Sequence, residues 1–231
     1  MKFAHLPDCH LGSWSSHPDM REFPLLAFDN AVDVCIKEKV DFMLQCGDFF
    51  DTSIPSIDVL KRCVTALRRC KEAGIPFYMI TGSHDFSPTG KTMVSVLEDA
   101  GLVVNVAKGY EEDGKLRLKF TVDDKTGAKI TGIVGRKNSL DRVYFENLDR
   151  GIEQHIEPEG SVSNGFKIFA FHAAITEYKP PHMKDMESIP ASYLPGGFDY
   201  YAAGHVHKRF AGNYEGKRIV YPGVLFPTSF D

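Results

Sequence analysis

At 231 residues with 43% hydrophobic content, the chain can bury one large core, or a core plus a small appendage. No apolar run reaches the ~18 residues of a membrane-spanning helix, and the opening Met1-Lys2-Phe3-Ala4-His5-Leu6 carries no signal-peptide pattern, so a cytoplasmic protein without membrane association is expected. The net charge of −4 exerts no global pull on nucleic acid, and five cysteines without C-x-x-C spacing read as reduced thiols, not a disulfide framework.

Residues 2–6 read as a strand. Over 25–37 the apolar residues Leu25, Phe28, Ala31, Val32, Cys35 and Ile36 recur at helical spacing, and 40–46 is a buried-type strand ending at Gly47-Asp48. Ser56 is placed as an N-cap. Ile57, Leu60, Val64 and Leu67 share one stripe of a helix reaching Ala73, with Gly74 as its stop. Residues 76–81 form the next strand, and a helix over about 91–100 is stopped by Gly101. This rhythm predicts βαβ units and a helix-covered sheet, with the ligand site beyond the carboxyl ends of the strands.

From Leu102 the pattern changes to short strands. Residues 116–122 and 129–134 flank Asp123-Asp124-Lys125-Thr126-Gly127, a hairpin signal. Residues 157–165 read as a loop, 167–171 and 200–203 as buried strands, and 209–214 with 217–221 as a second hairpin about Glu215-Gly216. The stretch 179–195 contains four prolines and is expected to be an irregular surface loop near the site. Lys61, Arg62, Arg68, Arg69 and Lys71 gather on one helix and read as a solvated face in preference to a nucleic-acid contact. There is no internal repeat, and the ending 226–231 lacks a capping element, which points to a truncated chain.

Five polar motifs follow these strands: Asp8-Cys9-His10, Gly47-Asp48-Phe49-Phe50-Asp51, Gly82-Ser83-His84-Asp85, a lone His172 after Ile168-Phe169-Ala170-Phe171, and Gly204-His205-Val206-His207. Mixed carboxylate and imidazole ligands suit Mn, Fe or Zn, and a pair of such cations hydrolyses phosphate esters. Asp8 and His10, two apart on an extended backbone, would point to one side, as would His205 and His207. A carboxylate at Asp48, after an apolar run, costs several kcal/mol if buried unpaired, and bridging two cations removes that cost. Singly, each motif has a bland reading, an Asp as a helix N-cap or a His as a satisfied core residue. Their joint occurrence does not.

The constellation resembles the calcineurin-like metallophosphoesterases, whose pattern is D-x-H, G-D-x-x-D, G-N-H-D/E, a lone His and G-H-x-H. It looks closer still to the Mre-eleven/SbcD nucleases of double-strand-break repair, archaeal type, through Phe3-Ala4-His5-Leu6-Pro7-Asp8-Cys9-His10-Leu11-Gly12, Gly47-Asp48-Phe49-Phe50-Asp51-Thr52, the run from Tyr200 to Arg209, and Val220-Tyr221-Pro222-Gly223. The likeness covers essentially the whole chain. It implies an α/β fold, a four-layer α-β-β-α sandwich of two packed sheets flanked by helices. It also implies one nuclease domain over 1–231, with the C-terminal capping and ATPase-binding segments absent. The implied activity is a Mn-dependent DNA exonuclease or endonuclease, nucleoid-associated in a prokaryote.

By the same resemblance Asp8, His10 and His207 would hold one metal, Asp48 would bridge, and His172 and His205 would hold the second. His84 would stabilise the phosphorane or protonate the leaving group, oriented by Asp85. The implied partners are DNA, a second copy of the chain, and a Rad-fifty-type ATPase docking on a C-terminal segment. Dimerisation would use the stripe Ile57, Leu60, Val64, Leu67 with Val94 and Leu97, unless that stripe is an ordinary core face. Two positions depart from the pattern. Ser83 stands for the family's Asn, a ligand of the second metal, and Asp51 stands where archaeal and eukaryotic relatives often carry His. Two rival readings follow: a calcineurin-like phosphatase or cyclic-nucleotide phosphodiesterase, and a DNA-end-binding scaffold with weak catalysis.

Overall fold

The first half of the chain forms β1 (Phe3–Leu6), α1 (Phe23–Lys37), β2 (Phe42–Cys46), α2 (Ile57–Glu72), β3 (Phe77–Ile80), α3 (Met93–Asp99) and β4 (Val104–Asn105) in the computed structural model. The structure describes residues 1–87, 92–137, 140–151, 157, 164–180, 183 and 185–229. The four strands lie parallel in the order β1-β2-β3-β4, as consecutive βαβ units require. Every residue of β2 is buried, the mark of a parallel strand covered on both faces. The Ser56 hydroxyl accepts from the Val59 amide, and Arg69 and Lys71 close the last turn of α2, so both ends of that helix are capped or charge-matched.

The second half forms β5 (Lys108–Glu112), β6 (Lys115–Lys119), β7 (Thr121–Val122), β8 (Lys129–Ile133), α4 (Arg142–Glu146), β9 (Lys167–His172), β10 (Tyr200–Gly204), β11 (Phe210–Tyr214) and β12 (Lys217–Tyr221). Six of these strands make a mixed sheet in the order β11-β12-β10-β9-β8-β7. Both expected hairpins are present, as the antiparallel pairs β7–β8 and β11–β12. The single strand expected over 116–122 is instead two: β6 pairs with β5 in a separate hairpin, and β7 joins the six-stranded sheet. β5 carries no strand signal of its own, because Lys108-Gly109-Tyr110-Glu111-Glu112 is polar on both faces and has no buried alternation. Residue 91 and most of the loop expected over 157–165 lie outside the described residues.

The two sheets pack face to face, and strand alternation assigns their side chains. In β9, Ile168 and Ala170 join Phe42, Leu44, Ile80 and Ala202 between the sheets, whereas Phe169 and Phe171 face the other way. α1, α2 and α3 cover the first sheet through Phe28, Val32, Leu67, Val94 and Leu97. The outer face of the second sheet is covered more thinly, by α4, the 3-10 turn Ala191–Tyr193 and the irregular segment before it. The result is the four-layer arrangement the resemblance implies, with a short and mostly irregular fourth layer.

Of the two readings of the apolar stripe on α2 and α3, the core face is the one found. Leu67, Val94 and Leu97 are core residues with at most 1% exposure, and Leu60 and Val64 pack against the same core, so the stripe proposed for dimerisation faces inward. Ile57 alone of that stripe is exposed, at 82%. Among the described residues no helix is long and apolar enough to cross a membrane.

Candidate metal centre

The carboxyl ends of strands from both sheets meet at one edge of the sandwich. Asp8 and His10 follow β1, Asp48 and Asp51 follow β2, Ser83, His84 and Asp85 follow β3, His172 ends β9, and His205 and His207 follow β10. Such an approach leaves no room for side chains on the connecting backbone. A Cβ at Gly47 would collide with the His172 ring, and one at Gly204 with the Cys46 carbonyl and the Asp8 carboxylate. The first two motif loops are zipped together by their backbones: the Cys9 and His10 amides both donate to the Asp48 carbonyl at 3.0 Å, and the Leu11 amide donates to Phe49 at 2.9 Å.

The extended backbone expected for D-x-H and H-x-H is not what delivers these side chains. His10, Asp48 and His205 have φ of 43°, 50° and 83°, in the left-handed region that non-glycine residues rarely occupy. Such conformations cost of order 1–3 kcal/mol each and persist where surrounding structure enforces them, characteristically at functional sites. The turn at His205 parts it from His207. The His205 ring lies beside His172 (centroids 5.1 Å apart), and the His207 ring beside His10 (5.0 Å).

Three overlapping clusters result: Asp8–His10–His207, His10–Asp48–His84 and Asp48–His172–His205, each with ligand atoms within 4.8 Å of one another. His10 Nε2 lies 3.1 Å from His207 Nε2 and 3.7 Å from Asp48 Oδ2, His207 Nε2 lies 3.6 Å from Asp8 Oδ2, and His172 Nε2 lies 3.1 Å from Asp48 Oδ2. The Ser83 hydroxyl is 3.4 Å from both carboxylate oxygens of Asp48. His172 Nε2 is buried without a hydrogen-bond partner, because its approach to Asp48 lacks the alignment of a hydrogen bond. A buried, unpartnered imidazole nitrogen beside carboxylates fits a divalent cation, and the donor set of oxygen and imidazole nitrogen suits one.

The supporting contacts orient these rings. His172 Nδ1 donates to the Cys46 carbonyl at 2.8 Å, leaving Nε2 for the centre, and His10 Nδ1 stands 3.3 Å from Asp51 Oδ1. Asp51 therefore backs a ligand candidate, a role its residue type alone does not reveal. The expectation that Asp85 orients His84 is not met. Its carboxylate instead accepts from the Gly82, Phe49 and Phe50 amides at 2.9, 3.1 and 2.8 Å, tying the second and third motif loops together. The His84 ring is held by the Asp51 carbonyl, which accepts from Nδ1 at 2.7 Å, and the His84 amide donates to Asp48 at 2.8 Å.

Burial sets the electrostatics, and close charges then divide them. Burial raises Asp8 to about 7 against the pull of His172. For Asp48 burial also acts upward, but His172, His10 and the His84 amide outweigh it and hold the carboxylate far below its ordinary range. His172 is the converse: burial lowers it, yet Asp48 and Asp8 keep it charged well above the ordinary imidazole value. His205 and His207 are pulled down to about 4 by burial and by the neighbouring imidazoles, so both are neutral at pH 7. Asp85 rises to about 6 through burial and the nearby Asp48, against its three amide donors.

A family model described as calcineurin-like phosphoesterase matches residues 1–209. The DNA double-strand break repair protein Mre11 of Sulfurisphaera tokodaii is 32% identical over 95% of this chain and 52% of its own length, and that of Archaeoglobus fulgidus 26% identical over 97% and 50%. An uncharacterized metallophosphoesterase, YhaO of Bacillus subtilis, is 26% identical over 96% of this chain and 52% of its own. The chain thus spans about half the length of the curated relatives it matches. Among solved structures, TT1561 of Thermus thermophilus superposes with a TM-score of 0.50 at 16% identity, covering 87% of this chain and 84% of that one, a likeness of fold.

Proposed function

The chain belongs to the calcineurin-like phosphoesterase family, and we propose that it is a two-metal nuclease that hydrolyses DNA phosphodiester bonds in double-strand-break repair, with manganese as its metal. The observation that carries this reading is the sharing of Asp48 between clusters: one carboxylate stands with His172 and His205 on one side and with His10 on the other. Asp8, His10 and His207 would hold the first cation, and His172, His205 and Ser83 the second, with Asp48 available to both. When bound, the two cations supply Lewis-acid charge at the phosphate and an acidified water for attack. In the net reaction one P–O bond to water oxygen would form, the bond to the leaving oxygen would break, and the proton released from the water to solvent would balance the proton the leaving oxygen takes up. His84 supplies it from Nε2, its Nδ1 proton being committed to the Asp51 carbonyl. Asp85 is a positioning residue, holding the loops that carry Asp48 and His84.

DNA is the proposed substrate because the Mre11 relatives are named for DNA break repair. A second copy of the chain and a Rad-fifty-type ATPase are the proposed partners on the family resemblance alone. The test is hydrolysis of linear DNA and of bis-p-nitrophenyl phosphate with Mn. Both should be cleaved, and Asp48→Ala should abolish both. A variant keeping a tenth of the activity would sink the shared-ligand assignment. Cleavage of the small ester without DNA would favour a phosphatase or cyclic-nucleotide phosphodiesterase, and DNA binding under chelation with no cleavage a scaffold.

A further inference from the structure

Beside the Ser83, His84, His172 and His205 side of the centre lies a cavity of about 260 Å³ that the hydrolysis above leaves unused. Arg136 and Lys137 line it, with Asp141, Glu187 and Ser188, above an apolar floor of Ala173, Ala174 and Ile189. Arg136 follows Gly135, where a Cβ would run into the His172 ring, so its backbone is anchored directly against the centre. Its guanidinium lies 4.2 Å over the ring of Phe86, the residue after Asp85, and donates to the Tyr144 hydroxyl at 2.9 Å. Its Nε is buried without a hydrogen-bond partner. A cation stacked on one aromatic ring and tethered to a second residue has lost its rotamer freedom in advance, as a binding group should. No carboxylate is paired with it among the described ion pairs, although two line the same cavity.

We infer that this cavity is a subsite for the single nucleotide unit next to the scissile bond, with Arg136 holding that unit's own phosphate; the inference rests on the nuclease reading above. The wall chemistry matches such a unit part by part. The guanidinium suits a phosphate oxygen, Asp141 and Glu187 with Ser188 suit the amine of a base, and the apolar Ala173, Ala174 and Ile189 suit the flat of its ring. The volume admits one nucleotide and not a base pair, so the strand must be splayed or single to occupy it. Arg136 is then a specificity residue for a nucleic-acid strand over a simple phosphodiester. It is not a catalytic one.

The experiment is a cycle on a short single-stranded oligodeoxycytidylate, whose bases carry an amine, with one cleavable linkage and its flanking phosphates either native or replaced by neutral methylphosphonates. With the unaltered protein, neutralising the flanks should raise KM about tenfold, the usual loss of one charge-assisted contact. In Arg136→Gln, which keeps a donor for Tyr144, that difference should vanish, and Arg136→Lys should restore part of it. Additive effects of the substitution and the neutral flanks, or an unaltered protein indifferent to them, would overturn the subsite. An unaltered protein that cleaves neither the oligonucleotide nor bis-p-nitrophenyl phosphate in Mn would overturn the nuclease reading itself, a separate outcome.

Discussion

Ser83 is the residue on which the centre's balance turns. A neutral hydroxyl is a weaker ligand than the carboxamide the family pattern carries there, and Ser83 Oγ already lies 3.4 Å from both Asp48 oxygens. On the proposed assignment the second site would rest on a shared carboxylate and two imidazoles, whereas Asp8, His10 and His207 would complete the first. Calorimetric titration with Mn should resolve a tight and a weak site, and Ser83→Asn should tighten the weak one and lower the Mn concentration for half-maximal activity. Two equally tight sites unchanged by the Asn would refute the asymmetry. The positions around Ser83 were legible in the sequence because each motif places a carboxylate or imidazole at the end of an apolar strand. The support given by Asp51 was not, since a carboxylate there reads equally as a ligand, a cap or a solvated group until its 3.3 Å approach to His10 is seen.

At the scale of elements, α2 shows how one helix serves two neighbours. Its inner face buries Cys63, Ala66, Leu67 and Cys70 against the first sheet. Two of its basic residues, read from the sequence as part of a solvated face, reach toward α1: Arg62 pairs with Asp29 and Glu22, and Arg69 with Asp29 and Asp33. Arg68 pairs within the helix, with Glu72. Exposed pairs of this kind are worth about 0–1 kcal/mol each, so they orient the two helices more than they stabilise them. The core carries the stability. Leu67→Asp should unfold the protein in thermal melts because it buries a charge with no partner, whereas Ile57→Asp, at an 82% exposed position, should change stability by less than about 0.5 kcal/mol. A folded Leu67→Asp monomer would restore the interface reading of the stripe.

For the molecule as a whole, the convergence of two sheets makes the centre a proton store. Burial lowers the His172 imidazole, but Asp48 and Asp8 outweigh burial and keep it protonated at pH 7, and Asp8 itself is raised to about 7. Both groups must lose their protons to bind a cation. Loading with Mn at pH 7 should therefore release at least about one proton per molecule. The release should decline as pH rises through the folded pKa values of Asp8 and then His172, since fewer protons remain to be displaced. Below about pH 4, where His205 and His207 also become charged, the affinity itself should collapse. Titrations in two buffers of different ionisation enthalpy measure the release, and identical heats in both would overturn it.

The amino-acid sequence by itself determined the alternation of strands and helices through α3, the hairpins at Asp123–Gly127 and Glu215-Gly216, and the set of groups gathered at the candidate metal centre. Those features are local: periodicity, capping residues and turn chemistry act over a few positions, and a polar motif after an apolar run betrays itself. Tertiary structure alone decided the rest. β5 is held by pairing with β6 and not by any pattern of its own, and the apolar stripe of α2 is core because a sheet lies under it. His205 and His207 part toward different clusters because the backbone turns at φ 83° between contacts from Asp8 and His172. Asp85 became a tie between loops because three amides from two strand ends converge on it. Each of these depends on atoms far apart in the chain, and which of them meet is settled only when the two sheets pack.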